Sequence, residues 1–320
     1  NGIDVLESII SLDLEHQDYD LSTSFEMYET LQGAKSDRYT YVLPAFNFSK
    51  NFDIELLDGS FNFNSSGNNS LASTNILTTN FTNDLNYSSD NNYLNNGIKT
   101  NYEVSLRNIN SLGKNHSTYK DSPQSELMSI YAFNTSLPLL KETEKTFNTL
   151  EPKLSFKFSP HDMKNNSELK RRIDADSIFN IKRLGLGNSL ETGESITTGL
   201  NFSHKKKVIE DGISEIEDYL DLKLATSLRF NEANNIPHSS SLNQKTSNIF
   251  GQLDYKPTKN LSINYNFSLN NDLNNLEYSN VVTKFNFGDF STQFNFLEES
   301  GLIGQTNMVE NITKYSFNDE

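Results

Sequence analysis

The chain contains no cysteine and no tryptophan. Without cysteine there is no disulfide staple and no thiolate chemistry. Without tryptophan, any aromatic girdle at a membrane surface must be built from tyrosine and phenylalanine. No run of about 18 apolar residues occurs, which excludes a transmembrane helix. It does not exclude strands that cross a membrane, because half their residues face inward and dilute the hydropathy. Cations are scarce: 27 Lys and Arg stand against 42 Asp and Glu, a net charge of −15. A nucleic-acid backbone binder needs a basic footprint, so that class is set aside. Hydrophobic residues make up 35% of the chain, below the usual ~45–50%, although glycine is left out of the former figure. The chain begins with Asn1 and shows neither an initiator methionine nor a signal sequence, as expected of a fragment or a processed chain.

What is present is aromatic and alternating. There are 22 Phe and 14 Tyr, residue types that favour strands and are rare in disordered chains. In the segment from Asn260 to Phe287, Leu261, Ile263, Tyr265, Phe267 and Leu269 share one parity and Ser262, Asn264, Asn266 and Ser268 the other. Period two describes a strand with one apolar and one small polar face. Two architectures fit: an antiparallel sheet with one dry face, or a barrel wall with lipid outside and polar groups inside.

The same rhythm runs along most of the chain. It opens around a turn at Gln17-Asp18, with Tyr19, Leu21, Thr23, Phe25 and Met27 on one face. Pro44 interrupts the next strand and belongs at a bulge, an edge or a strand start. The segment DGSFNFNSSGNNS reads as a short strand followed by a Ser/Asn/Gly loop. Residues 74–110 carry weaker strands, and 111–125 read as a loop. LMSIYAFNTSLPLL is the most apolar middle stretch. A short strand framed by Pro152 and Pro160 follows. Residues 161–195 have no clean period, with one short apolar element around Ile178 to Ile181; a loop of that length in a compact domain is usually functional or disordered. Beyond it lie six alternating segments, and the 205–220 stretch KKKVIEDGISEIEDYL reads as a charged loop between two of them. Strands of about 10 residues suit a tilted membrane crossing better than the 5–6 of ordinary sheets.

Chemistry-bearing constellations are sparse. His16, His116, His161, His204 and His238 are isolated, with no spacing that suggests zinc. RLGLGNSLETG fails as a dinucleotide glycine motif, and its glycines read as turn or close-packing residues. Glu210, Asp211, Glu215, Glu217 and Asp218 form an acidic cluster that suits a solvated loop better than a cation site. Lys170 to Arg172 and His204 to Lys207 are the basic runs; they suit solubility, or anionic head groups and phosphates. No catalytic, cofactor-binding or metal residues are assigned, and an enzyme is the least favoured class.

TLEPKLSFKFSP and RLGLGNSLETGESITTGLNFS resemble the lipopolysaccharide-assembly family of Gram-negative outer membranes (LptD, or organic solvent tolerance protein). Glu191, Gly193 and Gly199-Leu200 match its pattern, while Asn188-Ser189 stand where the family has an Asp-Arg pair. The later GQLDYKPTKNLSINYNFSLNNDLNNLEYSNVVTKFNF and STQFNFLEESGLIG are similar to its barrel strands, so the resemblance spans roughly residues 125–320. It implies an all-β fold: an antiparallel transmembrane β-barrel, incomplete in this chain, with residues 1–320 forming part of one large barrel domain. The periplasmic jelly roll and the last barrel strands are expected to be absent, NITKYSFNDE reading as an interrupted strand. It further implies a cell outer membrane location and insertion of lipopolysaccharide into the outer leaflet. The implied partners are lipopolysaccharide, a plug lipoprotein, periplasmic bridge proteins and outer-membrane lipid, with no nucleic acid and no cofactor. Another outer-membrane channel or receptor, or a soluble β-rich glycan-binding protein, are the alternatives. Parity would turn Leu261, Ile263, Phe267 and Leu269 toward lipid and Asn264 and Asn266 inward, with Tyr255, Tyr265 and Tyr278 serving as girdle residues.

Overall fold

The computed structural model describes residues 4–32, 38–54, 57–210 and 213–317. Seventeen strands are present: β1 (Val5–His16), β2 (Tyr19–Thr30), β3 (Tyr39–Ile54), β4 (Leu57–Ala72), β5 (Ile76–Ser89), β6 (Asn92–Tyr93), β7 (Lys99–Lys114), β8 (Gln124–Ser136), β9 (Leu139–Glu142), β10 (Thr146–Ser159), β11 (Gly193–Glu210), β12 (Ile213–Arg229), β13 (Ile249–Thr258), β14 (Leu261–Leu269), β15 (Leu276–Phe287), β16 (Phe290–Glu299) and β17 (Thr306–Tyr315). Among the described residues every pairing is antiparallel, as the hairpin rhythm predicts. Among the described residues no helix is long and apolar enough to cross a membrane.

The chain falls into two compact units, residues 1–90 with 103–130, and residues 91–102 with 131–320. In the first, β1 to β5 pair in succession and β5 then pairs with β7. The β1–β2 hairpin turns at Gln17-Asp18. Pro44 lies where the registers of both neighbouring ladders slip, between Ser24 and Glu26 on one side and Val42 and Ala45 on the other. A residue without an N–H is accommodated there because the ladder is already interrupted.

Two expectations in this unit are corrected. The Ser/Asn/Gly stretch does not leave the sheet: β4 runs unbroken through it to Ala72. Its polar side chains bond across the strands instead of to their own backbone. Ser65 Oγ donates to Asn83 Oδ1 at 2.8 Å, Asn80 Nδ2 to Asn68 Oδ1 at 3.0 Å, and Ser70 and Thr78 hydroxyls meet at 2.7 Å. Cross-strand polar pairs of this kind replace the turn-forming bonds that such residues make locally. Likewise β7 continues to Lys114, several residues into the expected loop.

In the second unit, β8 and β9 pair one after the other along β10, and β10 to β17 then pair in succession. Pro152 does not frame a short strand; it sits inside the 14-residue β10. It lies opposite the break between β8 and β9, where the sheet needs no N–H from it, and its carbonyl accepts from Leu137 N at 3.1 Å. The 205–220 stretch is also not a loop. β11 and β12 extend through it to their turn, and Asp211 and Gly212 lie outside the described residues. Opposite charges facing across the ladder hold these ends together: Lys205 meets Asp218 at 2.9 Å, while Asp218 also meets Lys256 at 3.4 Å and Glu217 meets Lys259 at 3.3 Å. Two members of the acidic cluster, Glu217 and Asp218, are thus paired with lysines of β11, β13 and the β13–β14 turn.

Candidate functional site

The faces of β10, β11 and β12 invert the pattern of a water-soluble sheet. Ser155, Thr197 and Ser227 stand in one row and are completely buried. Lys157, Ser195 and Arg229 form the next row and are buried as well. On the opposite face, Leu154, Phe156 and Leu228 remain 44%, 39% and 46% exposed. Small hydroxyls inside and large apolar side chains outside make sense only where the outer medium is itself apolar.

The polar face is covered by two inward-lying segments, residues 160–192 between β10 and β11 and residues 230–248 between β12 and β13. Each carries one short 3₁₀ turn, Ser177–Phe179 and His238–Ser240. Together they build a small apolar core: Ile178, Leu184, Ile236 and Leu242 are buried against Ala225 and Phe250 of the sheet. Gly199 is what allows the first turn to lie so close. A Cβ there would stand 2.7 Å from Phe179 Cζ and 2.9 Å from the Leu224 carbonyl oxygen, contacts no real Cβ tolerates. Gly199→Leu is therefore expected to lift the Phe179 turn, at the ~1–3 kcal/mol typical of overpacking; faster amide exchange at residues 177–180 would be the check.

Beneath that core lies a buried ionic network. Arg183 forks onto Glu191, with Nε donating to Oε2 at 2.8 Å and Nη2 to Oε1 at 2.6 Å. Its remaining donors reach Ser195 Oγ at 2.9 Å, Thr197 Oγ1 at 2.9 Å and Ser227 Oγ at 3.1 Å. Arg229 Nη1 shares Glu191 Oε1 at 2.6 Å, and its Nη2 donates to the Thr192 carbonyl. Lys157 Nζ donates to the carbonyls of Ile178 and Asn180. Burial alone would push the Glu191 carboxyl up. The charge of Arg183 and its hydrogen bonds, aided by Lys157 and Arg229, outweigh that and hold it at about 2. The network thus bolts the 160–192 segment to β11 and β12 through charge-assisted bonds.

Arg183 and Glu191 both lie in the stretch whose motif stood out in the sequence; Arg229 carried no local signal. Ser189, at one of the two positions where the Asp-Arg pair is replaced, is buried and its Oγ accepts from Lys164 N at 3.3 Å, while Asn188 is exposed. The five histidines are not brought together. His161 bonds Ser159, His204 bonds Asn148, and His16 and His116 receive neighbouring backbone N–H groups. Among the described residues no group of three or more acidic or histidine side chains is arranged to hold a metal ion.

An antiparallel array of strands up to 18 residues long, with β10 to β12 carrying exposed apolar side chains on one face and buried hydroxyls on the other, defines a strand-built membrane protein consistent with part of a β-barrel. The family of LPS transport system D (LptD) matches residues 3–313, and the chain belongs to that family. No curated protein sequence matches it. Membership makes it a non-catalytic component of the lipopolysaccharide translocon in the outer membrane, working with partners of the lipopolysaccharide-transport complex.

Proposed function

We propose that the polar side of the second unit, the strand face together with the 160–192 and 230–248 segments that cover part of it, borders the path of the lipopolysaccharide glycan while the apolar face contacts outer-membrane lipid. The burial of Ser155, Thr197 and Ser227 opposite exposed leucine and phenylalanine carries this reading. Along β13 and β14 the polar face continues as a hydrogen-bonded ladder. Gln252 Nε2 donates to Asp254 at 2.7 Å, Asn264 donates to Asp254, and Asn266 Nδ2 donates to Asn264 Oδ1 at 2.6 Å. Amide and carboxylate groups already satisfied by one another offer a sugar chain many weak, exchangeable partners and no deep trap, as a conduit requires. The 160–192 segment narrows this path. The plug lipoprotein meets the same polar face, and the periplasmic bridge proteins deliver the cargo to it; transport draws on energy supplied elsewhere, since no bond is made or broken here.

Single cysteines along β14 test the two faces. Positions 264 and 266 are expected to react with a membrane-impermeant maleimide in outer-membrane vesicles, and 261, 263, 267 and 269 to be shielded until detergent is added. Equal labelling of both parities would overturn the reading.

A further inference from the structure

We propose that Lys170, Arg171 and Arg172 form a binding site for a phosphate ester of the glycolipid cargo. The inference deepens the translocon reading and rests on it. In a chain of net charge −15, cations are expected to find carboxylates. Among the described residues these three make no ion pair; each is held by a neutral group instead. Lys170 Nζ donates to the Leu302 carbonyl at 3.4 Å. Arg171 Nη2 donates to the Gly185 carbonyl at 2.8 Å, and its Nε donates to the Leu184 carbonyl. The Arg172 guanidinium lies 4.3 Å from the centre of the Tyr278 ring. Carbonyl dipoles and a ring face fix a cation's position without cancelling its charge. Asp174 and Glu299 act electrostatically on the neighbouring Tyr278, yet neither comes within ion-pair distance of Arg172.

The triplet is also preorganised. Ile173 and Ala175, immediately after it, are buried in the small core. Arg171 N donates to Ser239 Oγ at 2.8 Å, and that hydroxyl lies 3.3 Å from the carbonyl oxygens of Leu169 and Arg171. Gly185 has a φ of +54°, and a Cβ there would fall 1.8 Å from Arg171 Nη2, so only glycine leaves room for the fork. Lys170 and Arg172 are exposed, and Arg171 is half-buried with Nη1 uncommitted to any described partner. Fixed guanidinium and ammonium groups side by side, none of them in an ion pair, suit the several oxygens and high charge of a phosphate ester. Lipopolysaccharide sugars carry such esters, whereas the hydroxyls of an unphosphorylated glycan would draw little from them.

The test uses the protein in detergent, with lipopolysaccharide and the same lipopolysaccharide treated with phosphatase. The wild type is expected to bind the phosphorylated form about tenfold or more tightly. Lys170→Gln with Arg172→Gln, which disturbs only a carbonyl contact and a ring contact, should erase that preference and leave dephosphorylated binding unchanged. Adding Arg171→Gln should lower the affinity further. Unchanged heat-modifiable mobility on gels establishes that the variants remain folded. Millimolar inorganic phosphate should compete with the wild type alone. Equal binding of both forms by the wild type would overturn the site while sparing the translocon reading. No lipopolysaccharide binding at all would overturn both. Displacement of the cargo from the triplet by phosphatidylglycerol vesicles, lost in the double variant, would reassign the site to a phospholipid head group and overturn the cargo assignment.

Discussion

Glu191→Ala is expected to release residues 160–192 from the sheet at a cost of about 3–5 kcal/mol, the usual penalty for removing one partner of a buried ion pair. The loss is large because Glu191 serves two guanidinium groups at once, at 2.6 Å from Arg183 Nη2 and 2.6 Å from Arg229 Nη1. Without it both remain in a region that water does not reach, beside the buried Lys157. The three cations then escape repulsion only if the segment lifts away. Limited trypsin digestion of the folded protein reads this directly. Arg183 is 5% exposed in the wild type, so cleavage after it should be absent there and prominent in the variant. Glu191→Gln keeps the shape and one acceptor but loses the charge, and should give an intermediate cleavage rate. Wild-type resistance in the alanine variant would mean that the apolar contacts of Ile178 and Leu184 hold the segment without the ionic bolt.

Those apolar contacts and the ionic bolt differ in how far the sequence announces them. Alternation along Leu261 to Leu269, and in the segments from Ser195 onward, carries enough information to fix strand, parity and hairpin turns. Each of those features depends on neighbouring residues only. Ile178 was visible as an apolar element in a polar stretch for the same reason. The asparagine-rich part of β4 reads locally as a loop because Asn, Ser and Gly are turn formers when isolated. Whether they turn or pair depends on what stands beside them, here the matching Asn80, Asn83 and Thr78 of β5. The charged ends of β11 and β12 read locally as a loop for a related reason. A lysine run followed by an acidic run looks like a solvated loop until folding at the turn places the two opposite one another.

The functional network was less legible still. Arg183 and Glu191 share one motif, but their partner Arg229 ends a strand in a different hairpin, and Ser195, Thr197 and Ser227 are residues of no individual note. What unites them is the register of β11 with β12, which sets Ser195 opposite Arg229 and Thr197 opposite Ser227. The inward fold of residues 160–192 then lowers Arg183 onto that row. Neither is a property of a local window.

Acid should undo the same bolt in the intact protein. The Glu191 carboxyl titrates at about 2 in the folded state, against an ordinary value of 4.5. A carboxyl depressed by folding contributes its full stabilisation at pH values above the ordinary one. The contribution shrinks as pH falls below 4.5 and is gone once pH reaches about 2. A separation of that size corresponds to about 3 kcal/mol. Many other carboxylates titrate in the same window, so the comparison that isolates Glu191 is with Glu191→Gln, which has no proton to gain. Amide hydrogen exchange across residues 177–184, corrected for the intrinsic pH dependence of exchange, should lose protection steeply between pH 4.5 and 2 in the wild type. The glutamine variant should begin less protected and lose less protection over that range. Parallel loss of protection in the two proteins would assign the acid response to other carboxylates and remove Glu191 as the titrating group. Above pH 5 the ionic bolt is then at full strength, so ordinary shifts in external pH leave the segment fixed.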